Sequence, residues 1–126
     1  MAANPPVLPQ PRRGQIWSVA FPSDPPGKFS RPVLIVSADG RNAHPRASTV
    51  LVVPFSTTLT DVPTHIRLQP GETGLGHPGE LQPENISTIR KETLRPRPGT
   101  RTVSDSIIRT LARNVVLSLG IQPKDI

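Results

Sequence analysis

Two short apolar runs dominate the hydrophobic pattern of this chain, and both are bounded by polar, turn-forming residues. The first runs from Arg31 to Ser37 (RPVLIVS) and the second from Thr49 to Phe55 (TVLVVPF). Runs of this length that are rich in Val and Ile are typical of buried strands and are too short for buried helices. We therefore predict two neighbouring strands in one sheet. Pro54 lacks a backbone donor, so it favours an edge position or a bulge in the second strand.

Weaker extended segments surround these two runs. Residues 14–21 predict a first strand with Trp17, Val19 and Phe21 on its inner face. Residues 69–79 contain four glycines and two prolines, which indicates a mobile loop. Further short strands are predicted at residues 64–68, 79–82, 86–89 and 94–97.

The hydrophobic period changes near the C-terminus. Apolar residues recur at helical spacing between Ile107 and Leu119, which predicts one amphipathic helix. Ser104 is placed to cap its start and Gly120 to end it. The pattern as a whole predicts an α+β fold, in which a small curved sheet or partly open β-barrel of five to seven short strands is covered by a C-terminal α-helix.

Composition narrows the class of protein. A chain of 126 residues is expected to form one domain, and 17 prolines exclude a helical bundle. The absence of cysteine and of long apolar runs favours a cytoplasmic protein without disulfides or a membrane anchor. The net charge of +6 favours an anionic partner, first of all a nucleic acid, although a merely soluble basic protein is the alternative.

Several kinds of catalytic chemistry are missing from the sequence. There is no cysteine, no carboxylate cluster at metal-ligand spacing and no glycine-rich nucleotide loop, and the three histidines are scattered. We therefore expect no metal and no cofactor. An enzyme built from this chain would use arginine, hydroxyl, carboxylate or imidazole groups.

An ordered set of short motifs resembles the MazF/PemK toxin family. The set begins with RGQIW at residues 13–17 and RPVLIVS at residues 31–37, and it continues through TVLVVPFS, PTH and ENISTI to SLG at residues 118–120. The resemblance implies a toxin domain at residues 13–121, followed by a tail at 122–126. The start of the chain is rich in proline and alanine and has no hydrophobic period, so we expect residues 1–12 to be a disordered leader. The resemblance also implies an SH3-like barrel that forms a homodimer, cleaves single-stranded RNA without a metal, and is neutralised by a MazE-like antitoxin with an acidic and apolar C-terminal tail.

The resemblance carries two catalytic residues over to this chain, Arg31 and Ser56. Family members attack the scissile phosphate with the neighbouring ribose 2′-OH and leave a 2′,3′-cyclic phosphate and a 5′-OH. A guanidinium suits that reaction because its planar fork holds two phosphate oxygens and stays charged. Pro32 restricts Arg31 to extended backbone, which gives the side chain a rigid base. Ser56 can donate to a phosphate oxygen, or it can simply bond its own loop backbone.

The chain departs from the family pattern at some positions. Serine replaces the usual threonine at Ser56, Gln82 stands where some members have an arginine, and the loop at 22–30 is shorter. These changes leave the proton-transfer group open, and Glu84 and His44 are the candidates. Residues expected to contact RNA, through stacking, hydrogen bonds or charge, are Lys28, Phe29, Ser30, Thr57, Arg41, Gln82 and Asn85.

Two other functions compete with RNA cleavage. CcdB-type gyrase poisons resemble the family in fold and act by binding a topoisomerase. A relative that binds RNA without cutting it is the third reading, which the change from threonine to serine at position 56 supports.

Overall fold

The computed structural model describes residues 8–20 and 31–126 of the chain. Its β-strands are β1 (Ile16–Val19), β2 (Arg31–Ile35), β3 (Thr49–Ser56), β4 (Ile66–Leu68), β5 (Gly79–Leu81), β6 (Ser87–Arg90) and β7 (Arg95–Pro96). Its α-helices are α1 (Asp39–Asn42), α2 (Pro70–Thr73) and α3 (Asp105–Ser118). Short 3₁₀ turns lie at Pro83–Asn85, Lys91–Thr93 and Pro123–Asp125.

The seven strands of the described part of the chain form one antiparallel sheet in the order β4-β5-β3-β2-β1-β7, and β6 also pairs with β3. The two apolar runs are β2 and β3, which lie side by side, so that prediction is confirmed. The predicted fold class is confirmed as well, since a partly open antiparallel sheet is followed by one long C-terminal helix.

The expectation that Pro54 marks an edge or a bulge is wrong. β3 is the central strand, with β2 on one side and β6 followed by β5 on the other. The pairing with β6 ends at Val52 and the pairing with β5 begins at Phe55. The carbonyl of Pro54 faces this junction, where it accepts the N–H of Gln82 at 3.2 Å. In a strand, the N–H and C=O of one residue point to the same side. The backbone donor that Pro54 lacks would therefore point to the place where the partner of β3 changes from β6 to β5, so its absence interrupts neither pairing.

Both faces of the sheet are covered by apolar side chains. One cluster, which includes Leu34, Val53 and Leu81, packs against Ile108 and Leu111 of α3. The other, formed by Val19, Val33, Ile35, Val50, Val52 and Leu94, has Trp17 packed against it. Trp17 and Val19 therefore share an inner face as predicted, and Phe21 lies outside the described residues.

Helix α3 occupies the position that its apolar spacing predicts. Ser104 is the N-cap residue and Gly120 follows the last turn with φ of +77°. The apolar stripe is buried only in its first half, where Ile108 and Leu111 are 4% and 1% exposed. Leu119 at the other end is 69% exposed.

The segment predicted to be a mobile loop contains a capped helical turn, α2. Pro70 occupies the first turn, and the Glu72 carboxylate accepts the N–H of Gln69 at 2.9 Å in a capping box. Gly74 ends the turn with φ of +76°, and a Cβ there would lie 2.1 Å from the carbonyl oxygen of Gly99. Only glycine fits this close approach.

Candidate active site

Arg31 and Ser56 lie at the same end of two neighbouring strands. The antiparallel pairing of β2 with β3 reaches Val33 and Pro54 at this end, and Arg31 and Ser56 each lie two residues beyond that pair. Arg31 begins β2 and Ser56 ends β3, so both side chains emerge at the rim of the sheet.

The rim opens into a cavity of about 460 Å³ that contains both residues. The apolar residues that line it are Pro32, Pro54, Phe55 and Leu75. The polar groups that line it are Arg31, Ser56, Thr57, His77, Gln82 and Arg97. Two guanidinium groups, two hydroxyls and an imidazole around one opening form a site suited to a phosphate group.

The Ser56 hydroxyl has one interaction with its own loop. Its Oγ accepts the backbone N–H of Thr58 at 3.1 Å, which is the turn-stabilising role open to a strand-end serine. A hydroxyl that accepts such a bond still has its own O–H to donate. Ser56 can therefore hold its loop and contact a ligand oxygen at the same time.

The structure brings only some of the predicted RNA-binding residues to this cavity. Thr57 and Gln82 line it, and Asn85 lies next to it through a bond of 3.0 Å from its Nδ2 to Oε1 of Gln82. Arg41 lies elsewhere, where its guanidinium donates to the carbonyl and the hydroxyl of Thr49. Lys28, Phe29 and Ser30 lie outside the described residues.

Neither of the two proton-transfer candidates from the sequence lines the cavity. Nε2 of His65 lies 2.5 Å from the Glu84 carboxylate, and Nδ1 of His44 accepts the N–H of Arg46 at 3.1 Å. The imidazole that does line it is His77, which sequence reasoning missed together with Arg97. Both residues come from segments far from Arg31 in the chain, so only the fold could bring them to the site. The one local signal was the position of His77 in a glycine-rich loop.

A buried ionic cluster lies on the other side of the β3 end. Glu80 of β5, which pairs with Ser56, is 2% exposed and binds Nδ1 of His65 at 2.9 Å. Its oxygens also accept the backbone N–H groups of Thr60 and Asp61 at 3.1–3.2 Å. The cluster thus ties the loop that follows Ser56 to the sheet.

The charges in this cluster stabilise one another. Burial acts to lower the pKa of His65, but hydrogen bonds to Glu80 and Glu84 and their negative charges outweigh it, so the pKa is raised above 6.5. The hydrogen bond from His65 is the largest cause that lowers the pKa of Glu80, from 4.5 to about 2, against the opposing effect of burial. An imidazolium between two carboxylates donates from both ring nitrogens.

Within residues 8–20 and 31–126, no three histidine or acidic side chains come together in a way that could hold a metal ion. None of the helices in this part of the chain is long and apolar enough to cross a membrane.

Fold and cavity together define a small antiparallel-sheet protein with a site suited to a phosphate-bearing ligand. Residues 12–119 match the model of a family described as PemK-like, MazF-like toxin of type II toxin–antitoxin system. The chain belongs to this PemK/MazF-like toxin family, which confirms the resemblance seen in the sequence motifs.

Relatives agree with this membership. The chain is 37% identical over 112 residues to a probable endoribonuclease MazF of Mycolicibacterium smegmatis, and the match covers 87% of this chain and 97% of that protein. A solved endoribonuclease from Mycobacterial species superposes with a TM-score of 0.70 at 26% identity, with 90% and 95% of the two chains covered. An endoribonuclease in complex with its cognate antitoxin, also from Mycobacterial species, gives a TM-score of 0.64 at 26% identity over 89% and 95% of the chains.

Proposed function

We propose that this toxin is an endoribonuclease that cleaves single-stranded RNA without a metal ion and uses the substrate's own 2′-OH as the nucleophile. The observation that carries the proposal is that Arg31 and Ser56 line one cavity together with a second arginine, Arg97, and with no acidic residue among those that the structure describes. Family membership supports it, and the relative from Mycolicibacterium smegmatis bears the name of the same activity.

The reaction needs a cation at the phosphate and two proton transfers. The 2′-oxygen attacks phosphorus and gives up its proton, the P–O5′ bond breaks, and the departing 5′-oxygen receives a proton. The products are a 2′,3′-cyclic phosphate and a 5′-OH. In this scheme the Arg31 guanidinium holds two phosphate oxygens while charge builds up on them, and the Ser56 O–H donates to one of the same oxygens.

His77 is our candidate for one of the proton transfers. It is the imidazole that lines the cavity with Arg31 and Ser56 in the described part of the chain, and imidazoles exchange protons readily near neutral pH. The geometry favours His77 over Glu84 and His44, which sequence analysis selects and which do not line the cavity.

Family membership, the net charge and an apolar groove on the surface together indicate the partners of this protein. A cognate antitoxin with an acidic and apolar tail complements a chain of net charge +6. Apolar contact area is available at a groove of about 310 Å³ between the sheet and α3, which Leu51, Ile86 and Val115 help to line. We propose that the protein acts as a cytoplasmic homodimer that such an antitoxin neutralises.

The direct test incubates the pure protein with mixed-sequence single-stranded RNA in excess chelator and analyses the fragment ends. We expect cleavage to 2′,3′-cyclic phosphate and 5′-OH ends. Arg31→Ala should lower the rate about 100-fold or more, because the phosphate loses its fixed cation, and His77→Ala about 100-fold. Arg109→Ala is the matched control, since this exposed arginine of α3 pairs with Asp105 outside the cavity.

Three outcomes would count against the proposal. If the RNA stays intact, or is cut only when magnesium is added, the proposal of metal-independent cleavage is wrong. Intact RNA together with inhibited gyrase supercoiling would instead favour the gyrase-binding alternative. If Arg31→Ala keeps full activity and an unchanged melting temperature, Arg31 does not hold the phosphate in the reaction.

A further inference from the structure

We infer that a second, smaller cavity beside the active site binds one unpaired nucleobase of the RNA, with Trp17 as its stacking surface. The inference rests on the proposed RNA substrate and extends it to a base-binding subsite. The cavity has a volume of about 190 Å³, and its lining includes Trp17, Gln15, Arg97, Arg101 and Thr102. An aromatic ring with arginines and hydrogen-bonding side chains around it is the combination that binds single-stranded bases.

Trp17 is held in place before any ligand arrives. One part of the side chain packs against the apolar cluster that contains Val33 and Leu94. Its indole N–H donates to Oε1 of Gln15 at 3.0 Å, and the same oxygen accepts the N–H of Arg12 at 2.8 Å. A ring that is already ordered loses little conformational entropy on binding. Because both bonds use the oxygen of Gln15, its amide can offer a base two N–H donors.

The charge around this cavity suits a polynucleotide. Residues 93–104 contain Arg95, Arg97 and Arg101 and no acidic residue. The segment is fixed to the body of the protein, because the N–H of Arg101 donates to the carbonyl of Thr73 at 2.8 Å. Guanidinium groups pair with phosphates and also stack on bases.

Arg97 connects this cavity to the active site, because it lines both of them. The strand register gives their separation. Trp17 pairs with Val33, which lies two residues along β2 from Arg31. Trp17 and Arg31 are thus separated by one strand spacing and by the rise of two residues, which together correspond to roughly 8 Å. This distance equals the length of two to three nucleotides at about 3.4 Å per stacked nucleotide. The bound base therefore belongs to a nucleotide close to the scissile phosphate.

The chain allows an unusually direct test, because it contains one tryptophan and no tyrosine. Its tryptophan emission therefore reports on this cavity alone. The probe is a fully 2′-O-methylated single-stranded RNA of mixed sequence, which cannot be cleaved because every 2′-OH is blocked. We expect it to quench Trp17 emission in a saturable manner. An oligomer of the same length with abasic sugars, which has the same charge and no bases, should leave the emission unchanged.

A pair of arginine variants separates the subsite from general charge attraction. Arg101→Ala should weaken binding of the methylated oligomer about tenfold, as judged by anisotropy of a labelled strand, and should reduce the quench. Arg109→Ala removes an equal charge from an exposed site on α3 and should change neither. Equal effects of the two variants would overturn the inference.

The subsite and the proposed activity can fail separately. If unmodified RNA is cleaved but Trp17 emission does not respond to a bound oligomer, or responds equally to the abasic one, the subsite is wrong and the activity stands. If Trp17 is quenched by bases but no RNA is cut, the subsite stands and the protein is a non-cleaving RNA binder.

Discussion

The guanidinium of Arg31 and the hydroxyl of Ser56 line one cavity because the start of β2 and the end of β3 lie at the same rim of the antiparallel sheet. The backbone of Arg31 is restricted by Pro32, and Ser56 is held by its bond to the N–H of Thr58. Both positions were predicted from the sequence, through the family motifs that contain them, and each lies at the end of an apolar run. The cavity that they share with His77 and Arg97 was not predicted from the sequence, because these four residues come from four separate segments of the chain.

The role of the Ser56 hydroxyl can be separated from its place in the loop. Ser56→Ala should lower the rate of oligonucleotide cleavage about 10- to 100-fold, because one donor to the phosphate oxygen is lost. It should also reduce the free energy of unfolding by about 1 kcal/mol, since the N–H of Thr58 loses its acceptor. Ser56→Thr keeps the hydroxyl and should retain the rate within a few fold.

Initial rates on one oligonucleotide, together with melting temperatures, check this prediction. A Ser56→Ala protein that is less stable yet cuts at the normal rate would show that the hydroxyl only supports its loop.

The strands and helices follow the sequence closely where a strong hydrophobic period extends over many residues. Helix α3 and strands β2 and β3 were predicted because their apolar patterns are unambiguous. Helix α2 was missed because a single turn has no hydrophobic period, and its only signals were those of its ends: the capping box between Gln69 and Glu72, Pro70 in the first turn and Gly74 after the last. Pro54 lies in the central strand β3, although proline usually favours an edge strand or a bulge. The central strand accommodates it because the partner of β3 changes from β6 to β5 near this residue.

The cluster of Glu80 with His65 and Glu84 makes the loop after Ser56 sensitive to pH. The pKa of His65 is raised above 6.5, so its contribution to stability is complete below pH 6.5 and is lost as pH rises through the raised value. The pKa of Glu80 is lowered from 4.5 to about 2, so its contribution is complete above pH 4.5 and is lost as pH falls towards 2. The cluster therefore stabilises the fold most between pH 4.5 and 6.5.

Melting curves across a range of pH can isolate this effect. The difference in melting temperature between the wild type and His65→Gln should be greatest from pH 4.5 to 6.5 and should shrink at higher pH. Glu84→Gln, at a side chain that is 41% exposed, is a milder variant that should show the same trend to a smaller extent. A difference that does not change with pH would mean that His65 stays neutral in the fold.

On the scale of the whole molecule, the excess of positive charge favours a polyanionic substrate along one side of the sheet. Arg31, Arg97 and Arg101 line two cavities that share Arg97. Each contact between a cation and a phosphate of a single strand adds about −0.7 to the slope of log K against log salt concentration. Three such contacts predict a slope of about −2.

Binding of the 2′-O-methylated oligomer at several salt concentrations measures this slope. Arg101→Ala should make it shallower by about 0.7, and Arg109→Ala should leave it unchanged. Affinity that does not depend on salt would show that these arginines do not contact the backbone of the strand.

The sequence by itself determined the class of fold and the family, because each depends on local patterns: apolar runs, a helical period and an ordered set of short motifs. It also predicted Arg31 and Ser56 as site residues, through the motifs that they share with the family. The tertiary structure alone decided which side chains share a cavity. His77 and Arg97 are far from Arg31 in the chain, and they line its cavity only because the segments before β5 and after β7 pack at the same rim of the sheet. Arg97 also lines the cavity that contains Trp17 of β1. Neighbours in space that come from distant segments leave no periodic signal in a single sequence.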